Sequence, residues 1–350
     1  MAMIFGLSIA HLLGCAPTTG MKTSDHFNGR KFHNPTMAEE YSPGFSDVFR
    51  MMREGRPDWP EHVENVGVPR LNENLGPGDV ALTFVNHATF LIQFPGLNIL
   101  TDPVWSDRVG PISWLGLRRV RAPGVKLEDL PRIDLIVISH NHYDHLDVET
   151  LTRLNERFAP KVLVPLGDSA LVESLGFKDV QALDWWESVE IGPDTRITFT
   201  PTQHSSRRGL FDLDKSLWGS YFIRHGTRSV FFGGDAGYST HYAAIQKRLG
   251  APEVALLSIG DYLPGWFMEP IHMRPAEAVA AHKDLGAKLS IAMHFETFQN
   301  SAVTFEQPLD ELREATKEGV LSQGKFIALE VGETIIRAEG DWDDRLVTAP

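Results

Sequence analysis

The stretch Asp134-Leu135-Ile136-Val137-Ile138-Ser139-His140-Asn141-His142-Tyr143-Asp144-His145 decides how this chain is interpreted. Its first six residues form an apolar run of the length of a buried strand. Four groups able to bind a metal follow at once: His140, His142, Asp144 and His145. A straight strand would send alternate side chains to opposite faces, so we expect these groups on a loop. Imidazole nitrogen and carboxylate oxygen together suit zinc, iron or manganese; the alternative is a polar loop whose histidines only bind nearby backbone.

The rest of the chain from Asp79 onward alternates strand and helix patterns. Short β-rich runs over residues 80–85, 89–94 and 98–101 predict an antiparallel meander. Further strands are expected over 134–139, 161–165, 195–201, 218–224, 229–233, 254–259, 289–293 and 324–331. Helices are expected over about 46–54, 151–158, 242–249 and 275–285. Two β-rich halves that each carry helices predict a layered α/β sandwich.

Three residues of the second half follow predicted strands and are candidates to complete a metal site. His204 follows the strand that ends at Pro201, and His294 follows Ile291-Ala292-Met293. Asp235 follows two glycines, which allow close backbone approach. A single residue of this kind is more often an ordinary residue than a metal ligand. Because all three follow predicted strands, the case that they are ligands is stronger for the three together.

Composition limits the classes of partner and of metal site. The 350 residues carry a formal net charge of −13, which argues against a nucleic-acid partner because phosphate binding needs a surplus of Lys and Arg. The hydrophobic fraction of 42% is enough for a substantial core. Cys15 is the only cysteine, so a disulfide within the chain and a multi-cysteine metal site are both excluded.

The N-terminus has the pattern of a processing segment. A short apolar run, Met3 to Leu13, ends in Leu12-Leu13-Gly14-Cys15, which resembles a bacterial lipobox with Cys15 as the lipidated residue. This predicts a lipoprotein of the bacterial cell envelope that faces the periplasm; a buried or frayed segment of a cytoplasmic protein is the alternative. The predicted organisation is a signal segment (1–20), an N-terminal extension (21–78), a main domain that carries the candidate metal site (79–340) and a tail (341–350).

The metal-site motif and several later phrases together resemble a known family. His140-x-His142-x-Asp144-His145 with His204, Asp235 and His294 is similar to the metallo-β-lactamase superfamily. The resemblance narrows to the family of N-acylphosphatidylethanolamine-hydrolysing phospholipases D through phrases that lie between about residues 86 and 332: Leu183-Asp184-Trp185-Trp186-Glu187, Leu217-Trp218-Gly219-Ser220, Gly234-Asp235-Ala236-Gly237-Tyr238, Ile259-Gly260-Asp261-Tyr262, Trp266-Phe267-Met268 and His294-Phe295-Glu296-Thr297-Phe298.

The resemblance implies a four-layer αβ/βα sandwich and two zinc ions, with another divalent transition metal as an alternative. One ion would be held by His140, His142 and His204, the other by Asp144, His145 and His294, and Asp235 would bridge them. Asp102, in Leu100-Thr101-Asp102-Pro103, matches a carboxylate that orients a ligand histidine; a turn-starting Asp is its alternative. His272 matches a residue near the substrate phosphate, for anion contact or leaving-group protonation; a surface histidine before a helix is its alternative.

The leading functional hypothesis is a phosphodiesterase of the phospholipase D type that cleaves N-acylphosphatidylethanolamine or a related phospholipid. Metal-bound hydroxide would attack phosphorus, and Asp144 would accept its hydrogen bond. A lactonase or carboxylic-ester hydrolase, and a non-catalytic metal-binding envelope lipoprotein, are the alternatives. A lipid anchor would bring the protein to its membrane substrate, and a homodimer is left open.

Two softer features bear on lipid contact. The apolar loop Trp266-Phe267-Met268 is expected to line an acyl-chain groove, to touch a membrane or to plug the core. Arg118, Arg119 and Arg121 form a basic patch that would meet lipid head groups or be an ordinary solvated face.

Overall fold

A computed structural model describes residues 24–37, 39, 41–71, 74–112, 114–317, 321, 324–338 and 341–342. The predicted lipobox at Cys15 lies outside these residues. Among them, no helix combines the length and the apolar character needed to cross a membrane.

The first large sheet has eight strands in the order β17-β16-β1-β2-β3-β6-β7-β8. Its strands are β1 (Val80–Asn86), β2 (Thr89–Phe94), β3 (Leu97–Thr101), β6 (Leu135–Val137), β7 (Lys161–Pro165), β8 (Val180–Leu183), β16 (Thr334–Ala338) and β17 (Asp341–Trp342). The expected meander is present, because β1, β2 and β3 pair antiparallel. From β3 onward the pairing to β6, β7 and β8 is parallel.

The second large sheet has seven strands in the order β15-β14-β13-β12-β11-β10-β9. They are β9 (Ser188–Ile191), β10 (Thr195–Thr200), β11 (Ser220–His225), β12 (Arg228–Phe232), β13 (Val254–Ser258), β14 (Leu289–Met293) and β15 (Lys325–Ile327). Strands β12 to β15 are mutually parallel. A small hairpin, β4 (Arg108–Val109) with β5 (Leu117–Arg118), stands apart.

Helices pack against both sheets. They are α1 (Phe45–Arg53), α2 (Val148–Phe158), α3 (Ser169–Ser174), α4 (His241–Leu249), α5 (Gly265–Met268), α6 (Pro275–Leu285) and α7 (Gln307–Ala315), with a 3-10 turn at Leu127–Asp129. Leu151 and Leu154 of α2 pack on the first sheet, and Ala278 and Leu285 of α6 belong to the core of the second. The predicted α/β sandwich is confirmed.

Strand β6 shows why its sequence is apolar throughout. Leu135 and Val137 point into the core between the two sheets. Ile136 and Ile138 point to the opposite face and pack with the side chains of α2. A strand buried on both faces needs apolar residues at every position, which is the pattern of parallel sheets.

Several predicted boundaries shift by a few residues. The buried strand predicted over 134–139 is only Leu135–Val137, and the strand predicted over 324–331 ends at Ile327. The helix predicted from Leu151 begins at Val148, because the Asp147 side chain accepts a hydrogen bond from the backbone N–H of Glu149 (3.2 Å) and caps the helix there. Strands β8, β9 and β16 had no counterpart in the predicted set.

The N-terminal extension contacts the main body. The Asn34 side chain donates from Nδ2 to the carbonyl of His204 (2.8 Å), and its Oδ1 accepts from the indole of Trp218 (3.1 Å). The backbone N–H of Phe32 donates to the carbonyl of Asp214 (2.8 Å). The extension therefore supports the segment that follows β10.

Candidate metal centre

The histidine-rich segment is a tight loop between β6 and α2. The backbone N–H groups of His145 and Leu146 both donate to the carbonyl of His142 (3.1 and 2.9 Å), which closes a turn. The guanidinium of half-buried Arg208 donates to the carbonyls of Asn141 (2.9 Å) and Leu146 (2.7 Å). These bonds fix the loop so that its four metal-binding groups face the space between the two sheets.

The first cluster consists of His140, His142 and His204, whose ring nitrogens converge. His140 Nε2 lies 2.9 Å from His142 Nδ1, and His204 Nε2 lies 3.2 Å and 3.3 Å from those two atoms. The other nitrogen of His204 donates to the carbonyl of Ile271 (2.9 Å), so its Nε2 presents a lone pair. Burial lowers the pKa of His142 to about 3 and that of His204 to about 4, so both rings are neutral.

The second cluster consists of Asp144, His145 and His294. His145 Nε2 and His294 Nε2 lie 3.2 Å apart, and Asp144 Oδ2 lies 3.7 Å from each. His145 Nδ1 donates to Asp102 Oδ2 (2.7 Å), which leaves its Nε2 free to face the cluster. Asp102 also accepts from the backbone N–H of Ser139 (2.7 Å), so this buried carboxylate orients His145 as predicted.

Asp235 lies between the two clusters. Its Oδ2 is 3.2 Å from His145 Nε2, 3.0 Å from His294 Nε2 and 4.0 Å from His204 Nε2. Although burial opposes the shift, the charge of Asp235 raises the pKa of His294 to about 10. Gly234 makes this approach possible: its φ is +59°, and a Cβ there would lie 2.7 Å from the Cβ of Ser139.

The residues present fit divalent metal ions. In the first cluster, the neutral imidazoles of His140, His142 and His204 leave lone pairs facing one another, which is costly unless a cation joins them. Asp235 Oδ1 is buried and has no hydrogen-bond partner among the described residues. Nitrogen and carboxylate oxygen are the donor types that zinc and similar transition metals take. The two clusters are therefore able to bind metal.

The same geometry identifies a residue that the sequence analysis missed. His87, in the turn between β1 and β2, has a φ of +48° and is 1% exposed. Its Nε2 donates to Asp144 Oδ2 (3.0 Å), and its carbonyl accepts from the backbone N–H of His294 (2.8 Å). Burial lowers its pKa to about 3, which leaves the ring neutral. His87 thus positions two members of the second cluster.

Asn300 is a second missed residue, and it supports the same carboxylate. Its Nδ2 donates to Asp144 Oδ2 (2.8 Å). His87 could have been found, because it directly follows a predicted strand, as His204 and His294 do. Asn300 lies in a loop with no such signal.

His272 lies beside the first cluster. Its Nδ1 is 3.9 Å from Asp235 Oδ2, and its ring centroid is 5.2 Å from that of His204. It is 5% exposed, so the alternative of a surface histidine is wrong. Burial holds its pKa well below the usual range.

The two softer predictions on lipid contact are resolved separately. The three arginines do not form one exposed patch: Arg119 is buried and donates to the carbonyl of Ser106 (2.9 Å), and Arg121 pairs with buried Glu296 (2.9 Å). Only Arg118 is exposed. In α5, Phe267 and Met268 are buried, whereas Trp266 is 40% exposed and stacks under the guanidinium of Arg50 (4.2 Å).

Comparison with known proteins agrees with this geometry. A family model described as the beta-lactamase superfamily domain matches residues 97–295. An N-acyl-phosphatidylethanolamine-hydrolyzing phospholipase D of Caenorhabditis elegans is 34% identical over 87% of this chain and 92% of that protein. A mitochondrial enzyme of the same name from Saccharomyces cerevisiae is 33% identical over 80% of this chain and 60% of that protein.

A solved structure shows the same fold. A metallo hydrolase of the archaeon Ignicoccus hospitalis superposes with a TM-score of 0.56 at 24% identity, and the match covers 75% of this chain and 99% of that one. At this identity the likeness concerns the arrangement of sheets and helices alone.

Proposed function

This chain belongs to the metallo-β-lactamase superfamily and is a metal-dependent hydrolase, and from that premise we propose that it is a phosphodiesterase of the phospholipase D type. The proposed substrate is N-acylphosphatidylethanolamine or a related phospholipid, and the proposed metals are two zinc ions. The observation that carries the proposal is that Asp235 Oδ2 lies within 4.0 Å of histidines from both clusters, in a chain that is 34% identical to a phospholipase D over 87% of its length.

Each cluster has a proposed part in the reaction. His140, His142 and His204 would hold one ion, Asp144, His145 and His294 the other, and Asp235 would lie between them. Ions bound there would lower the pKa of water and stabilise negative charge on a phosphoryl group. The buried carboxylates of Asp144 and Asp235 match that positive charge within a protein interior.

Asp144 is suited to orient the attacking water. His87 and Asn300 both donate to its Oδ2 (3.0 and 2.8 Å), so the carboxylate cannot rotate freely. Its side chain is 14% exposed, which leaves it reachable from the substrate side. A fixed acceptor aligns the water proton and so places a lone pair toward phosphorus.

His272 is suited to contact the substrate phosphate. Burial keeps its ring neutral, and its Nδ1 has no hydrogen-bond partner among the described residues. A neutral imidazole still carries one N–H, which can donate to a phosphoryl oxygen as charge develops there. We therefore favour anion contact over leaving-group protonation, because a lowered pKa leaves the ring unprotonated near neutral pH and so without a proton to transfer.

Product identification tests the proposal most directly. Purified, zinc-loaded protein is incubated with vesicles that contain N-acylphosphatidylethanolamine, and the products are identified by mass spectrometry. Release of N-acylethanolamine and phosphatidate by the wild type, and its loss in Asp235→Asn, is the expected result. An Asp310→Asn variant, changed at an exposed side chain of α7, controls for preparation.

The competing reactions are run in parallel. Faster hydrolysis of a lactone or a carboxylic ester than of the phosphodiester would overturn the proposed reaction. Full zinc binding without turnover of any of these substrates would favour the non-catalytic lipoprotein instead.

We also propose that Cys15 carries a lipid anchor that holds the protein at the bacterial envelope. The support is the Leu12-Leu13-Gly14-Cys15 pattern. Metabolic labelling with a fatty-acid probe is expected to mark the wild type and not Cys15→Ser. Equal labelling of both proteins would contradict the anchor, as would a cytoplasmic location of the wild type.

A further inference from the structure

A cavity of about 280 Å³ lies on the second sheet, apart from the metal centre. Strands β9, β10 and β11 form its floor, and the C-terminal end of α4 forms one wall. Its lining residues are Trp186, Ser188, Arg196, Thr198, Phe222, Arg224, Arg248 and Leu249. No residue of either metal cluster is among them.

Three arginines from three different elements converge on this cavity. Arg196 of β10 and Arg224 of β11 are direct cross-strand partners, so their side chains leave the same face of the sheet. Like charges placed directly opposite each other destabilise a pair of strands. Arg248 of α4 adds a third positive charge to the cavity wall. The chain has a net charge of −13, so an overall excess of basic residues does not explain why three arginines lie together here.

One carboxylate, that of Glu190, lies near these arginines, and it offsets their positive charge only weakly. Glu190, the partner of Arg196 in the β9–β10 register, lies 3.5 Å from it, and both side chains are more than 60% exposed. An exposed ion pair of this kind contributes little. Arg224 instead donates from Nη2 to the carbonyl of Leu249 (2.7 Å), which fixes its guanidinium beside the cavity.

Aromatic rings provide the apolar surface of the cavity. Trp186 lies under the guanidinium of Arg248 (4.4 Å), and buried Phe222 lies under that of Arg224 (5.6 Å). Trp186 has a φ of +69°, a strained conformation for a bulky residue, and its backbone N–H is tied to the carbonyl of Phe199 (2.6 Å). The hydroxyls of Ser188 and Thr198, 2.8 Å apart, add polar atoms to the floor.

We propose that this cavity is a binding site for a small organic anion that carries a phosphate or phosphonate group next to a planar ring. Guanidinium groups bind such oxyanions through paired hydrogen bonds, and an anion between Arg196 and Arg224 would relieve their mutual repulsion. The planar ring would pack against Trp186, the partly exposed aromatic residue of the lining. The cavity volume suits a ligand of one ring and one acidic group.

Calorimetric titration of zinc-loaded full-length protein with phenylphosphonate tests the site. This probe has a ring and a phosphonate and resists hydrolysis. We expect a binding phase with a dissociation constant of the order of 0.1–1 mM in the wild type. The double variant R196Q/R224Q is expected to weaken this phase at least about tenfold, whereas Arg313→Gln, an exposed arginine of α7, leaves it unchanged.

Further measurements distinguish binding at this cavity from binding at the metal centre and from binding to a lipid surface. The phase is expected to persist in Asp235→Asn, so its outcome does not depend on the proposed hydrolytic activity. Unchanged phosphodiesterase activity and unfolding temperature of R196Q/R224Q show that the variant is folded. An isotherm that R196Q/R224Q does not alter overturns the proposal. Equal affinity for methylphosphonate, which lacks the ring, also overturns it. A third contrary outcome is that R196Q/R224Q still binds phenylphosphonate and loses only its binding to vesicles that contain phosphatidate, which would indicate a lipid surface instead.

Discussion

The two metal clusters differ in charge, although they lie side by side. The first cluster has three neutral imidazoles and no carboxylate of its own, and its closest nitrogens are 2.9–3.3 Å apart. The second cluster includes Asp144, and its histidines lie 3.0–3.2 Å from Asp235. The first cluster is therefore a preformed set of neutral nitrogen ligands. In the second cluster, attraction between the histidines and the carboxylates of Asp144 and Asp235 holds the side chains in place.

Replacing Asp235 by alanine is expected to have the largest effect, because this carboxylate is near members of both clusters. We expect loss of metal from both and a fall in hydrolysis of about 10³-fold or more. Metal content after dialysis, measured by mass spectrometry, is compared with the rate of phosphodiester cleavage. Retention of both metal equivalents would show that Asp235 does not join the clusters.

Single alanine variants of His142 and Asp144 break the clusters one at a time. Each is expected to lose one metal equivalent and at least about 10²-fold in rate, since the two members serve different clusters. Metal stoichiometry is the deciding measurement. Loss of both equivalents in either variant would mean that the clusters do not bind independently.

His87→Asn probes the support of the second cluster alone. Asparagine tolerates the left-handed backbone of His87 (φ +48°), so the turn itself is preserved. We expect metal affinity of the second cluster to fall about 10- to 100-fold and that of the first cluster to stay the same. Competition with a chelator resolves the two affinities. A uniform loss across both clusters would indicate a general structural defect instead.

Asp168→Asn is expected to have the smallest effect on activity and to act on stability. Asp168 accepts from the Asn141 side chain (2.9 Å) in the first cluster's loop, and burial raises its pKa to about 7. A raised pKa means that the folded state holds the proton more tightly than the unfolded state. This contribution to stability is therefore present below about pH 4 and is lost as the pH rises to about 7.

Urea unfolding at pH 5 and pH 8 measures the effect of Asp168. The wild type should lose more than about 1 kcal/mol relative to Asp168→Asn between these values, because one pKa unit corresponds to about 1.4 kcal/mol. Parallel pH dependence of the two proteins would contradict the assignment.

The sequence predicted most of the residues that form the two clusters, because they follow strands; that they bind metal stays a prediction. His140 to His145, His204, Asp235 and His294 all come directly after apolar runs, and parallel strands bring such ends to one edge. Strands that the sequence did not predict are short, partly exposed or close to the end of the sequence: the residues of β9 are all partly or fully exposed, and β16 lies within the last 20 residues. Local apolar pattern carries little information there.

Contacts between distant segments were beyond prediction. Nothing local to Arg119 or Arg121 shows that Arg119 is buried and that Arg121 pairs with Glu296. Likewise, Asn300 reaches Asp144 across 156 positions of sequence. Such contacts depend on how distant segments pack in the folded protein, and the local sequence around each residue carries no information about that.

The metal clusters draw on both sheets, since His140, His142, Asp144 and His145 follow a strand of the first, and His204, Asp235 and His294 follow strands of the second. An ion held by both sets binds only the docked arrangement. By mass action it stabilises the native state by RT ln(1 + [M]/Kd), about 2.7 kcal/mol at a hundredfold excess over Kd. Bound metal would then be needed for stability as well as for catalysis. When zinc is scarce, we expect the protein to be degraded faster in addition to losing its activity.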